Sequence, residues 1–151
     1  MKVRDLMTTD VTTCRPETNL AEAVREMWEK DCGILPVVND EGRVTGVITD
    51  RDICIAVATR DRSADRIAVR EVVQGHVHTC LEDDDVTVAL KAMKAHKVRR
   101  LPVVTADGHL RGMLSLNDVL THAGAASPTE IVSTLASVCE HRRSIVVAGA
   151  A

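Results

Sequence analysis

The chain has 151 residues, enough for one ordinary domain with a real core. Hydrophobic residues make up 45% and charged residues 27%, which excludes a disordered chain, and the net charge of −3 argues against a nucleic-acid surface driven by bulk charge. One Trp and no Tyr or Phe leave a core of Val, Leu, Ile, Met and Ala, without the stacking platforms of single-strand nucleic-acid binders.

Residues 3–7 read as a short helical turn, and no apolar signal region follows them. Residues 11–14 form a short extended piece with alternating apolar side chains. Asn19 opens a helix running to about residue 31, with Glu22 closing a capping box and Leu20, Ala23, Val24 and Met27 as its apolar stripe. Trp28 falls off that stripe; a dimer contact and partial burial in the monomer both stay open. Residues 34–38 are an apolar run typical of a buried strand. Pro36 inside it cannot donate to a ladder, so it belongs at an edge, where open backbone groups would face a ligand. A hairpin turn at 39–42 leads to a strand over 43–49 and a helix from residue 50 to about 59. Residues 59–68 are charged, lack a core pattern and read as a linker.

The second half repeats the first. Sliding residues 3–58 forward by 66 lays them on 69–124 without a gap, with 14 identities in 56 positions. Composition alone would give about three or four. Val3-Arg4, Val11, Thr13, Cys14, Ala23, Met27, the run Leu35-Pro36-Val37-Val38, Gly42, Gly46 and Asp52 all recur, so the chain is a duplication. In the second copy Asp84 and Asp85 open the helix, and the acidic run 82–85 suits a helix start through its dipole. Each unit reads β-α-β-β-α, an α+β fold. Past residue 124 comes a third piece, in which Ser127, Pro128 and Glu130 start a helix reaching about 143, with Ile131, Leu135 and Val138 along one face. Residues 145–147 read as a strand, a packing strap or a disordered end.

The chemistry sits at the strand-to-helix junctions. Thr49 and Ser115 are hydroxyls at helix N-cap positions, with Asp52 and Asp118 three residues on. A helix N-terminus presents unpaired N–H groups and a positive dipole end, which suit a phosphate. A carboxylate one turn in can accept from a pair of ribose hydroxyls. Other chemistries fare worse. His76 and His78 alternate on an extended segment, but no third or fourth ligand follows at zinc spacing, so no metal site is expected. The five cysteines are odd in number, scattered and without a Cys-x-x-Cys, which fits buried hydrophobes in a reduced, cytoplasmic setting; a redox pair of Cys14 and Cys80 is the alternative. No apolar run approaches a membrane span. There is no Gly-x-Ser-x-Gly, Walker loop or His-Glu-x-x-His, so catalysis is not expected.

The two units resemble the CBS domain, the module named after cystathionine beta-synthase; two in tandem form a Bateman module. The resemblance covers about residues 3–124 and rests on Leu-Pro-Val-Val at 35–38 and 101–104, the turn glycines, Gly-Val-Ile-Thr-Asp-Arg-Asp-Ile at 46–53 and Gly-Met-Leu-Ser-Leu-Asn-Asp-Val at 112–119. It implies two repeats, 1–66 and 67–124, related by pseudo-twofold symmetry, with a helix and tail over 125–151 outside it. No catalytic domain or membrane channel of the kind many family members carry is evident. The resemblance further implies a regulatory module that requires no cofactor. Such a module senses AMP, ADP, ATP or S-adenosylmethionine in two clefts between the paired domains, and signals to a regulated partner protein. The strand-end Thr or Ser would contact phosphate, the Asp would hold ribose, and backbone near the Pro-Val strand and the first strand would face the base. Carried over, one cleft receives Thr49, Arg51 and Asp52, with Thr13, Ile34, Leu35 and Pro36 nearby. The other receives Ser115 and Asp118, with Thr79, Arg99, Arg100, Leu101 and Pro102 nearby. Arg51 against Asn117, and Arg99-Arg100 against Gly33-Ile34, make unequal sites. Family members often pair as flat dimers, so a homodimer is expected; the alternative is an oligomerisation module that binds no ligand.

Overall fold

A computed structural model describes residues 1–73, 75–122 and 124–140. The first repeat contributes α1 (Leu20–Glu29), β1 (Ile34–Val38), β2 (Val44–Thr49) and α2 (Asp50–Thr59). The second contributes β3 (Cys80–Leu81), α3 (Val86–His96), β4 (Arg100–Val104), β5 (Leu110–Ser115) and α4 (Leu116–Thr121), and α5 (Pro128–Cys139) follows. In each repeat an antiparallel hairpin forms the sheet, Leu35 opposite Ile48 and Leu101 opposite Leu114, with all four side chains fully buried. The hairpins turn at Gly42 (φ 77°) and Gly108 (φ 88°), a backbone region open mainly to glycine. The expected α+β duplication is the observed one, down to the irregular register between Val37 and Val38 and again between Val103 and Val104.

The opening strand differs between repeats. β3 pairs parallel with β4, whereas its counterpart is a single bridge from Cys14 to Val37. Pairing stops there because Arg15 turns its N–H onto Thr18 Oγ1 (3.0 Å) and Pro16 has none to give. The strand edge expected to lie open at Pro36 is covered: Cys14 N donates to Pro36 O (3.0 Å) and Val38 N to Cys14 O (2.9 Å).

Two cores form, and they cross the sequence boundary. Val3 and Leu6 pack among Leu90, Met93, Leu101 and Leu114 of the second repeat. Ile67 and Val69 pack among Leu20, Leu35 and Ile48 of the first. Residues 59–68 are therefore more than a linker: they contain a 3-10 turn at Ala64–Arg66, and Ile67 is fully buried. One apolar residue in a charged stretch has no period to betray it. Further joins are Thr8 with Met113 and Arg43 with His109.

The helices end close to expectation. α1 stops at Glu29 rather than 31, just before Asp31 (φ 49°). α5 begins as expected, with Ser127 Oγ accepting from Glu130 N (3.2 Å) and Pro128 at the first turn. Ile131 of the expected stripe packs against the second repeat's core, but Thr134 is the buried residue and Leu135 is 39% exposed. The expected extension to 143 and residues 145–147 lie outside the described residues. Trp28 is 88% exposed, so it finds no burial within the monomer.

Candidate functional site

Both strand-to-helix junctions have the same geometry. Thr49 (φ −114°, ψ 160°) and Ser115 (φ −109°, ψ 157°) stay extended as the helix starts. Thr49 donates through its N–H (3.0 Å) and Oγ1 (2.7 Å) to Asp52 Oδ2, and Oγ1 accepts from Asp52 N (3.2 Å). Ser115 does the same with Asp118, at 2.7, 2.8 and 3.2 Å. One oxygen of each aspartate is thus spent on a capping box. Among the described residues Oδ1 of each has no hydrogen-bond partner, which leaves one acceptor per junction for a ligand hydroxyl.

The helix N-termini are less open than expected. Asp50 N donates to Gly33 O (3.2 Å), Arg51 N to Asp50 Oδ1 (2.7 Å) and Asp52 N to Thr49 Oγ1, so the first turn of α2 is satisfied internally. In α4, Leu116 N donates to Arg99 O (2.9 Å) and Asp118 N to Ser115 Oγ. An anion at the Thr49 junction would have to be met by side-chain cations, because the backbone donors there already have partners.

Each junction opens into a cleft between the repeats. A cavity of about 320 Å³ at Ser115, Asp118, Met113 and Arg100 is walled by Thr8, Asp10, Val11, Thr12, Lys30, Cys32 and Ile34 of the first repeat. A larger one, about 880 Å³, lies at Thr49, Arg51, Asp52 and Ile55, walled by Lys97, Val98 and Arg99 of the second repeat and by Val138, Cys139 and Glu140. Small-molecule sites run to about 300–1,000 Å³. In both, the mouth of one repeat faces the α-to-β corner of the other, and Cys32 and Val98 are equivalent positions of the duplication.

That crossing corrects the expected grouping. Ile34 lines the Ser115 cleft and Arg99 the Thr49 cleft, each opposite to its assigned partner; Arg99 also reaches a smaller pocket beside Asn117 and Ser115. Arg51 and Asp52 line the Thr49 cleft, and Arg100 and Asp118 line the Ser115 cleft. Leu35 and Leu101 are fully buried core residues, and Pro36 and Pro102 are buried too. Thr13 and Thr79 are half-buried and line neither cleft. Lys30, Lys97, Thr8, Asp10 and the α5 residues escaped notice because nothing in a sequence says which repeat's corner meets which repeat's mouth.

Other polar clusters are accounted for locally. Asp85 caps α3 by accepting from Thr87 N (3.0 Å), Asp84 accepts from Leu81 N (2.9 Å), Glu82 pairs with Arg111 (3.2 Å), and Asp83 pairs with Arg4. His78 stacks on His96 with ring centroids 3.5 Å apart; burial and the two neighbouring histidines hold its pKa below the usual value. No group of three or more metal-ligating side chains gathers among the described residues. No helix among them is long and apolar enough to cross a membrane. Burial pushes the Cys14 thiol up to about 11 and the Cys80 thiol to about 12, the latter with help from Asp84; neither is the low-pKa thiol of a redox site.

Comparison with known proteins decides the family. The CBS-domain model matches residues 3–59 and again 69–124. The chain belongs to the CBS-domain family. It is 36% identical to an uncharacterized 17.7 kDa protein of Acidianus ambivalens over 118 residues, 78% of this chain and 70% of that one. Some relatives are longer: the chain spans 61% of a second and 23% of a third. Among solved structures, Hypoxic Response Protein I with two coordinated zinc ions is 29% identical, with a TM-score of 0.74 over 81% of this chain and 98% of that one. CBSX2 in complex with AMP is 26% identical, with a TM-score of 0.67 over 79% and 93%. The CBS pair of the chain is thus the tandem arrangement its duplication announced.

Proposed function

We propose that this CBS pair is a regulatory module that binds adenine nucleotides or related adenosyl compounds in the two inter-repeat clefts and passes occupancy to a partner protein. The carrying observation is the repeated mouth: a hydroxyl-capped helix start with one free carboxylate oxygen, facing a cation-bearing corner across a cavity of ligand size. The carboxylate oxygen suits ribose hydroxyls, the arginines and lysines suit phosphate, and Val11, Ile34 and Met113 or Ile55, Val98 and Val138 offer aliphatic faces for a base. The AMP complex of CBSX2 supports the ligand class. A role in binding rather than catalysis follows from this reading, as does a location in the cytoplasm, where these nucleotides are abundant. Bound ligand can shift the module between states only through a difference in affinity for them.

A ligand at a hundred times its Kd adds about 2.7 kcal/mol to stability. We therefore expect AMP, ATP or S-adenosylmethionine to raise the Tm of the full chain by several degrees, and Asp118→Ala or Asp52→Ala to remove much of the rise. No shift with any of the three compounds would reject the sensor reading. We also propose a homodimer. Exposed Trp28 (88%) and Val24 (41%), one helical turn apart on α1, support an apolar contact there. Sedimentation of the full chain as a monomer, unchanged by Trp28→Lys, would count against it.

A further inference from the structure

The two clefts differ in charge, and the difference comes partly from outside the duplicated fold. In the Ser115 cleft, Lys30 and Arg100 are balanced by Asp10 and Asp118. In the Thr49 cleft, Arg51, Lys97 and Arg99 face Asp52 and Glu140. Glu140 directly follows α5 and lies beyond the residues matched by the family model. Its Oε2 accepts a hydrogen bond from Lys97 Nζ at 2.8 Å. α5 is anchored beside it: Lys94 Nζ donates to Ser133 Oγ (2.6 Å), Ser137 Oγ donates to Lys94 O (3.2 Å), and Thr134 is buried. Lys97 itself sits at the left-handed cap of α3 (φ 53°), a position that favours glycine, so a long cationic side chain is held there against the backbone preference.

We propose that Glu140 is a built-in competitor at the Thr49 cleft, occupying Lys97 until a ligand with two or more phosphate groups displaces it. The inference rests on the nucleotide reading of that cleft. With Glu140 displaced, three cations face one carboxylate, a field that favours a di- or triphosphate over a monophosphate or a nucleoside. The charge-balanced Ser115 cleft is left for the less anionic adenosyl compound. Binding of a polyphosphate would then free the end of α5, which converts occupancy into a change at the surface.

Calorimetric titration of the full chain with ATP, AMP and adenosine tests this. Glu140→Gln should tighten ATP about two- to fivefold, the range an exposed ion pair is worth, with a smaller gain for AMP and none for adenosine. In a Lys97→Gln background the same substitution should give no gain, since the competitor then has nothing to hold. Asp52→Ala should abolish the affected site and Asp118→Ala should leave it. An unchanged ATP affinity in Glu140→Gln, an equal gain for adenosine, or a gain that survives Lys97→Gln would overturn the competitor. Binding of none of the three ligands to either chain would instead reject the nucleotide reading, and the competitor with it.

Discussion

Gly112 carries no side chain because none fits. A Cβ there would lie 2.5 Å from Thr8 O and 3.0 Å from Met7 Sδ. Thr8 exchanges two 2.9 Å backbone bonds with Met113 at this place, tying the first repeat's leading segment to β5 and forming one wall of the Ser115 cleft. Overpacking of this kind costs about 1–3 kcal/mol. Gly112→Ala should therefore lower the denaturant midpoint by more than Gly46→Ala, whose added methyl would lie 2.4 Å from Val73 Cγ1, a side-chain atom that can shift where the Thr8 backbone cannot, with Val37 Cβ at 4.0 Å. The cysteines separate by burial in the same way. Cys14 and Cys80 have thiols raised to about 11 and about 12, while Cys54 and Cys139 are exposed. Iodoacetamide at mildly alkaline pH should modify Cys54 and Cys139 in the folded chain, half-buried Cys32 more slowly, and spare Cys14 and Cys80 until unfolding, as read by mass spectrometry. Cys139 ends α5 at the Thr49 cleft, so ATP that frees this end should speed its labelling and leave that of Cys54 unchanged. The sign of the pH effect follows: the unfolded chain ionises these thiols from their ordinary value of 9.0, before the folded chain can, so stability falls as pH climbs from there towards 11.

At the level of elements, α5 has a single buried residue, Thr134, and the clearest start signal. Ser127 Oγ accepts from Glu130 N and donates to Glu130 Oε2 (3.0 Å), and Pro128 occupies the first turn. Removing such a cap costs about 0.5–2 kcal/mol. Because α5 buries Thr134 alone and packs Ile131 only partly against the second repeat's core, that loss should stay local. Ser127→Ala should speed amide exchange along 128–139 and leave exchange in β4 and β5 unchanged; a uniform acceleration across the chain would show that α5 unfolds only with the rest. The starts of α2 and α4 teach the opposite lesson about reading caps. Their sequence announced an anion-binding helix end, yet Thr49 Oγ1 and Ser115 Oγ each take one donor of the first turn, and Gly33 O and Arg99 O take another, so the signal for a cap and the signal for a site are not independent.

For the whole molecule, the crossing of segments matters most. Val3 and Leu6 complete the second repeat's core, and Ile67 and Val69 complete the first's. Each repeat is therefore finished by residues that belong, in sequence, to the other, and neither is a self-sufficient folding unit. Leu→Ala and similar truncations in a core cost about 2–5 kcal/mol. Leu6→Ala and Ile67→Ala should each destabilise the full chain by that order in urea unfolding, though both residues lie outside the regular helices and strands. Residues 67–124 expressed alone should show no cooperative unfolding transition; a sharp, reversible one would mean that the exchange of segments is dispensable.

The duplication, the order of elements, the α+β class and the paired hydroxyl–carboxylate junctions were all legible in the residues, because each depends on local spacing: a repeat offset of 66, a cap three residues before its carboxylate, an apolar stripe at helical period. The composition of the clefts was not. Lys30, Lys97, Asp10 and Glu140 reach the junctions only through contacts between segments far apart in the chain, and Ile34 and Arg99 exchange partners when one repeat packs against the other. Local pattern encodes what a segment becomes. Which segment faces which is decided by how two apolar cores and their borrowed turns close on each other, and that closure sets the charge each cleft presents to a ligand.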